Sequence, residues 1–585
     1  MDLDTQVDTY FANSERDVRA GTGEAAPVST TEGNTVTALI DGRQYFGEIR
    51  ALLEGMGSGD VARQFFYMTG WRLHMSDGPG RAETGMFSAA GRPVSPTTRV
   101  GQPLDVDPPF ELEDTAQGPH PVMGQLLAQR AFDRVDVRVM GWVNPFMLMG
   151  IADQHVPPGF WNAAAGTVKS IEWLRAQRVG NHNPLAQRVC GLTVGHNFGA
   201  FHLKMVVAHN GDEALAFIGG IDFVKNRAAG EMHLQSDTWH DAAVKVTGPA
   251  VRACYMLFKQ LWDEQLSRSR ADHFSGFLYD GRLVPAVAPG TSSVPPLTGA
   301  RGRDVPNSGS GPHWVQVART LPQFPNRQDP RDPRHADLVG GPLSFASREG
   351  AFEVMVALRR AIAAATTYVY IEDISFFSSD VMDWLNLKLK EVESTVTVIL
   401  LSGQPDPDDP PTQQYTIEAI NRHLLFDLNE NQLDRVRLFE RTGVTVHSKL
   451  TIVDDRWLFV GSANCTRRSL FTDGELSVGV LGPDVADLQN PENSLAKQVR
   501  INLWGGHFGK APLSNGRLQL TDLTAALAVW EPEWEKAGHP RPYDRPASLE
   551  KRPWPLPDTA AHFIEEAYDR YDYDSRDPLP LPALQ

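Results

Sequence analysis

Only three of the 585 residues are cysteine, Cys190, Cys254 and Cys465, too few and too far apart for a disulfide framework or a Cys-x-x-Cys zinc site. Long apolar runs are missing as well. The most hydrophobic stretch, from about Val139 to Ala152, is broken by Asn144 and Pro145 and is too short to cross about 30 Å of hydrocarbon. The opening residues, Met1-Asp2-Leu3-Asp4-Thr5-Gln6-Val7-Asp8, carry neither a basic nor an apolar signal region. A cytoplasmic protein, or one peripheral to a membrane, is therefore expected, and export without a signal by a dedicated machine is compatible with this. Basic charge is in deficit too. Lys and Arg number 55 against 72 Asp and Glu, leaving a net charge of −17 that repels polyanions at long range. No stable nucleic-acid partner is expected, although a basic cleft can exist on an acidic body.

What is present is an alternation of strands and helices in two halves. Residues 1–36, rich in Gly, Ser, Thr and Glu, are expected to form a flexible arm. From residue 37 to 266 an amphipathic run (Tyr45 to Met56) precedes buried-strand patterns at Gln64 to Trp71, Val135 to Trp142, Phe201 to Ala208 and Ala214 to Gly219. Residues 267–311 thin out into Pro, Gly, Ser and Arg and are expected to be a linker. The alternation resumes over 312–509, with helices at Glu349 to Ala364 and Asp380 to Glu391 and strands at Tyr368 to Glu372 and Val396 to Leu401. Residues 510–585 are Pro-rich and acidic, the pattern of a surface extension. The alternation predicts α/β architecture in both halves.

An internal repeat carries the chemistry. One copy reads His202-Leu203-Lys204, a hydrophobic hairpin, then Gly219-Gly220-Ile221-Asp222; the other reads His447-Ser448-Lys449, a hairpin containing Asp454, then Gly461-Ser462-Ala463-Asn464. On extended backbone, residues i and i+2 share a face, so each copy presents an imidazole beside an ammonium, with Ser448 on the opposite face. The small-residue corners at Gly220 and Ser462 allow close approach to a ligand, and Asp222 and Asn464 follow at the same offset, where they also suit helix caps. Two such units facing each other surround a tetrahedral phosphate with two imidazoles, two ammoniums and two polar side chains. One neutral imidazole attacks phosphorus, the opposite imidazolium protonates the leaving alkoxide, and the lysines hold the non-bridging oxygens. Each histidine needs an acceptor on its other ring nitrogen; Asp241 and Glu475, downstream of the two copies, are the candidates. The chemistry needs no metal or cofactor, and the spacing of His196, His209, His233 and His240 matches no zinc-helix pattern.

These residues resemble the phospholipase D superfamily, whose signature is H-x-K-x-x-x-x-D followed by G-G/S and then Asn or Asp. The second copy matches it in full. Tyr370-Ile371-Glu372-Asp373 and the Trp239-to-Trp262 segment add to the likeness, which extends from about Val36 to about Gly509. The first copy departs from it. His209 stands where the signature has Asp, and Asp212 follows in a turn three residues longer, so Asp212 or a backbone group is expected to take over a structural role that Asp454 holds in the second copy.

The resemblance implies two α/β domains related by a pseudo-twofold axis, with mixed sheets flanked by helices and one active site between them. It implies His202 as nucleophile and His447 as acid, although the residues alone leave the two equivalent. A phospholipid at a membrane surface is the implied substrate, its head-group diester hydrolysed or transferred to an alcohol, by a monomer holding both motifs. A nuclease, a cardiolipin synthase-like transferase and a silent phosphate-binding or lipid-binding module are the alternatives.

Overall fold

In the computed structural model, the described residues are mainly 30–75, 121–143, 158–193, 200–224, 239–270, 282–297, 305–321, 350–374, 378–403, 419–441, 444–471, 473–482, 494–508 and 520–530, with short pieces between them. The strand pattern follows from side chains that alternate between two buried faces. Phe65–Gly70 is buried along its whole length because Phe65 and Tyr67 enter one core and Phe66 and Met68 another.

In the first half, the sheet strands are β1 (Thr30–Ile40), β2 (Phe65–Gly70), β3 (Asp136–Trp142), β4 (Val189–Leu192), β5 (Met205–His209) and β6 (Ala214–Gly219). A short strand, β7 (Trp239–His240), then leads into β8 (Ala242–Thr247). In the second half they are β9 (His313–Leu321), β10 (Tyr368–Glu372), β11 (Thr397–Gly403), β12 (Val436–Arg441), the short β13 (Thr445–Val446), β14 (Leu450–Val453), β15 (Trp457–Gly461) and β16 (Glu475–Leu481). The first half orders its strands β1-β8-β6-β5-β2-β3-β4, and the second orders them β9-β16-β15-β14-β10-β11-β12. Each position has its counterpart, antiparallel as far as β2 and β10 and parallel beyond. This is the internal repeat in three dimensions.

The halves do not form separate sheets. β1 pairs antiparallel with β9 through Thr30↔Gln316, Thr31↔Val315 and Asn34↔His313, which makes one 16-stranded mixed sheet. One continuous core spans both halves on a single face of this sheet, under α4 (Val251–Arg270) and α7 (Leu495–His507). On the other face, α1 (Asp41–Gly55), α2 (Met123–Phe132) and α3 (Pro158–Ala176) cover the first half, and α5 (Glu353–Ala364) and α6 (Ser379–Lys390) cover the second.

Three boundaries differ from the expectation. Thr30 to Val36 belong to the strand that joins the halves, and Tyr10 and Phe11 are buried against the second half, Tyr10 stacked on Trp457 at 6.4 Å. The segment expected to link the halves begins inside α4 and includes a hairpin pairing Gly276–Tyr279 with Arg282–Pro285. The extension after 510 contributes α8 (Leu523–Ala528), a buried Trp530 and a strand, β17 (Arg541–Pro542), against β12. Apolar contact explains the last case: Trp530 packs on Tyr370, Phe439, Trp504 and Phe508. The remainder of both termini lies outside the described residues.

Candidate active site

Both His-x-Lys tripeptides stand immediately before the first rung of their hairpin, His202 to Lys204 ahead of β5 and His447 to Lys449 ahead of β14. All four side chains are buried. In each copy the lysine Nζ donates to the backbone carbonyl of its own histidine, Lys204 at 2.7 Å and Lys449 in the same way. Burial lowers the pKa of both ammoniums, that of Lys449 to about 8, against the opposing pull of neighbouring carboxylates.

The acids cross between the halves. His202 Nδ1 lies 3.1 Å from Glu475 of the second half, and His447 Nδ1 lies 2.7 Å from Asp241 of the first. The backbone crosses in the same sense: His202 and Leu203 N–H donate to the Gly474 carbonyl, and His447 N–H donates to that of His240. The acid downstream of each repeat therefore serves the histidine of the other repeat. With Nδ1 engaged on a carboxylate, Nε2 is the ring nitrogen left for chemistry.

The small-residue corners act under these acids. A Cβ on Gly220 would stand 2.2 Å from Asp241 Oδ1, so only glycine admits the carboxylate there. At the pseudo-equivalent place Ser462 donates its hydroxyl to Glu475, as Ser469 does at 2.7 Å. Glu475 is held below the usual carboxylate range: burial works against ionisation, and His202, Lys204 and the Ser462 hydroxyl outweigh it. Burial dominates at Asp241, raising its pKa to about 6 despite Lys449 and Arg227. Asp222 sits 3.6 Å from Lys204 Nζ and accepts from the Arg72 N–H at 3.0 Å. Asn464, at the same offset in the second copy, is half-buried, and its Oδ1 has no hydrogen-bond partner among the described residues.

Asp454 lies in the left-handed region, φ 55°, and accepts from Thr366 N and Oγ1 and from the N–H groups of Thr367 and Tyr368. Asp212 does not take the corresponding part in the first copy. It is exposed, and Asn210 caps the turn by accepting from Asp212 N and Glu213 N, while His209 Nδ1 accepts from Gly211 N. The three extra residues are not all in the turn either: β5 and β6 each run one residue longer than β14 and β15, leaving 210–213 in the first turn and 454–456 in the second.

Sequence reasoning missed four side chains. Trp71 stands edge-on to His202 at 5.2 Å and Trp239 is 5.0 Å from His447, centroid to centroid. Arg227 is fully buried with Cζ 3.2 Å over the Trp239 ring, and Arg72 lies 5.8 Å over Trp71. Trp71-Arg72 at the end of a buried strand was one available signal, and Trp239 at the head of the segment that adds to the family likeness was another. His447 is held well below its ordinary pKa by burial, then by Lys449, Arg227, Lys204 and His202.

Among the described residues one cluster has the spacing of a metal site, His240, Glu372 and His507, with ligand atoms within 4.8 Å of one another. It does not fit a metal. Arg441 directs an N–H at His507 Nδ1 (2.6 Å), so Nδ1 must accept and the proton sits on Nε2, the nitrogen that faces Glu372.

Residues 358–491 match the family model described as "Cardiolipin synthase, PLD-like domain". Phospholipase D alpha 1 of Nicotiana tabacum is 23% identical over 66% of this chain and 58% of its own length. Phospholipase D alpha 3 of Arabidopsis thaliana is also 23% identical, over 46% of this chain and 40% of its own. The chain thus spans about half the length of these relatives. A phosphatidylserine synthase structure from Haemophilus influenzae Rd KW20 aligns over 83% of this chain and 86% of its own, at TM-score 0.42 and 12% identity. Residues 358–491 thus carry a PLD-like domain, and with a second His-x-Lys unit in its first half the chain is similar to the phospholipase D superfamily.

Proposed function

We propose that the protein is a metal-independent phosphodiesterase that cleaves the head-group diester of a phospholipid and passes the phosphatidyl group to water or an alcohol. The observation that carries this reading is the crossed arrangement of the two histidine–carboxylate pairs, each beside a buried lysine. His202, with Nδ1–H on Glu475, attacks phosphorus through Nε2 as the bond to the head-group oxygen breaks, and His447 gives that oxygen its proton. In the second step His447 takes a proton from water or an alcohol, whose oxygen attacks phosphorus and displaces His202. The lysines offset charge on the non-bridging oxygens.

The depressed pKa of His447 suits the acid role once substrate is bound. Its neighbours Lys449, Arg227 and Lys204 disfavour a proton there, and a phosphate anion offsets those charges, so proton uptake accompanies binding. A phospholipid, reached peripherally, is favoured by the names of the relatives and by the net charge of −17, which repels nucleic acid. Transfer to a second lipid alcohol is the other reading, supported by the description of the family model.

The test is head-group release from mixed phosphatidylcholine and phosphatidylethanolamine vesicles, with and without EDTA and ethanol. EDTA-resistant release, phosphatidylethanol formation and a loss of roughly 1,000-fold or more in His202→Ala and in His447→Ala are expected. Plasmid nicking without lipid turnover would contradict the lipid assignment, and conversion of phosphatidylglycerol to cardiolipin would favour transfer.

A further inference from the structure

Behind the His447–Asp241 pair lies a second layer of polar side chains that the proposed chemistry does not use. His447 and Ser448 project to opposite faces of one chain segment, and Asp241 and His240 do so on another. The two residues on the far side meet at one carboxylate. Glu372, at the end of β10, accepts from Ser448 Oγ (2.6 Å) and His240 Nε2 (3.1 Å) on Oε2, and from His507 Nε2 (2.7 Å) and the Tyr370 hydroxyl on Oε1. Four donors fill the acceptor capacity of a carboxylate.

The other nitrogen of His240 reaches into the first half. Nδ1 lies 2.8 Å from Asp41 Oδ1, which also accepts from the Asp241 N–H (3.2 Å), while the Asp41 N–H donates to the Asp241 carbonyl (2.8 Å). Asp41 opens α1 at φ 65°, a left-handed backbone that a non-glycine residue holds only where its surroundings compensate. Here its side chain and N–H grip the two residues that carry the pair's acid. The whole assembly is buried.

We propose that Glu372 and His240 form a positioning element for the His447–Asp241 pair, one carboxylate fixing both chain segments from which the pair projects and tying them to Asp41 across the two halves. The inference rests on the reading of that pair as catalytic base and acid with its orienting carboxylate. The opposite pair is built otherwise, its carboxylate Glu475 held directly by Ser462 and Ser469. The pseudo-twofold axis therefore relates the histidines but not their supports.

The test uses the full chain, with steady-state hydrolysis of bis(p-nitrophenyl) phosphate beside proton NMR of the low-field His447 Nδ1–H resonance, assigned by its loss in His447→Ala. In Ser448→Ala and His240→Leu, kcat is expected to fall about 10-fold or more with KM within about twofold, and the resonance to shift or broaden. His240→Gln, which retains an N–H donor, is expected to recover part of kcat. Asn386→Ala, which breaks the hydrogen bonds from α6 to the carbonyls of Leu424 and Phe426, is the control for a purely structural effect and is expected to lower the melting temperature without changing kcat. Should His240→Leu not fold, Ser448→Ala carries the test through loss of a single hydroxyl. Unchanged kcat and an unchanged resonance in folded Ser448→Ala and His240→Leu overturn the proposal. If the wild type leaves the diester intact, the enzymatic reading fails, and the resonance alone decides whether the positioning element exists.

Discussion

His202 and His447 are one residue type at pseudo-equivalent positions, yet the pKa values of the carboxylates that orient them are shifted in opposite directions. Glu475, gripped by two serine hydroxyls, is held ionised, while Asp241, with the Ala242 N–H and His447 as its donors, is pushed up to about 6 by burial. The sign of the consequence follows from linkage. A carboxyl whose pKa is raised on folding holds more protons folded than unfolded between its ordinary value and about 6, so its contribution to stability is present below that window and is lost as pH rises through it. The span corresponds to roughly 3 kcal/mol. Asp241→Asn is therefore expected to raise the melting temperature at pH 7.5, with the advantage gone by pH 4, and to cut turnover by roughly 100-fold or more, because the amide favours the wrong His447 tautomer. Thermal melts across pH beside turnover check this, and a variant less stable than wild type at pH 7.5 counts against it.

Asp454 and His209 show how the same hairpin is built in two ways. Asp454 gathers four donors from Thr366, Thr367 and Tyr368, where the chain enters β10, so it ties the β14–β15 turn to the neighbouring strand. In the first copy the longer hairpin carries its turn beyond such a strand start, and Asn210 and His209 satisfy the local N–H groups instead. Asp454→Ala is expected to cost roughly 3 kcal/mol or more in urea unfolding, with activity per folded molecule unchanged. Loss of activity in fully folded Asp454→Ala would instead place this residue in the chemistry. The His-x-Lys pairs and the hairpin were legible because they depend on spacing within a few residues. The Asn210 cap was hidden by an equally plausible acid two residues on. The start of β1 was hidden as well, since Thr30 to Thr35 is a polar run. It becomes a strand because Thr30, Thr31 and Asn34 pair with β9, Thr35 begins the pairing with β8, and Asn34 bonds Thr31, His313 and Ala250.

Across the whole molecule, the two halves form one sheet and one site. The strand and helix alternation announced the α/β class and the repeat announced its symmetry, since both are periodic in sequence. That each acid serves the other half's histidine was not legible, because the residues of each pair are more than 200 positions apart and are joined only once β1 pairs with β9 and the halves form one sheet. Trp71, Trp239 and Arg227 were missed for the same reason, as large buried side chains read as core until the fold places them beside His202 and His447. The central claim is that two such histidines split one displacement at phosphorus into two. The most direct measurement is acid-free rapid quench of the protein with a phosphodiester substrate, followed by peptide mass spectrometry. The expected result is a phosphoryl adduct on His202 in the wild type and none in His202→Ala, with formation unaffected by EDTA. Turnover that proceeds with no adduct on His202 or on His447 would contradict it.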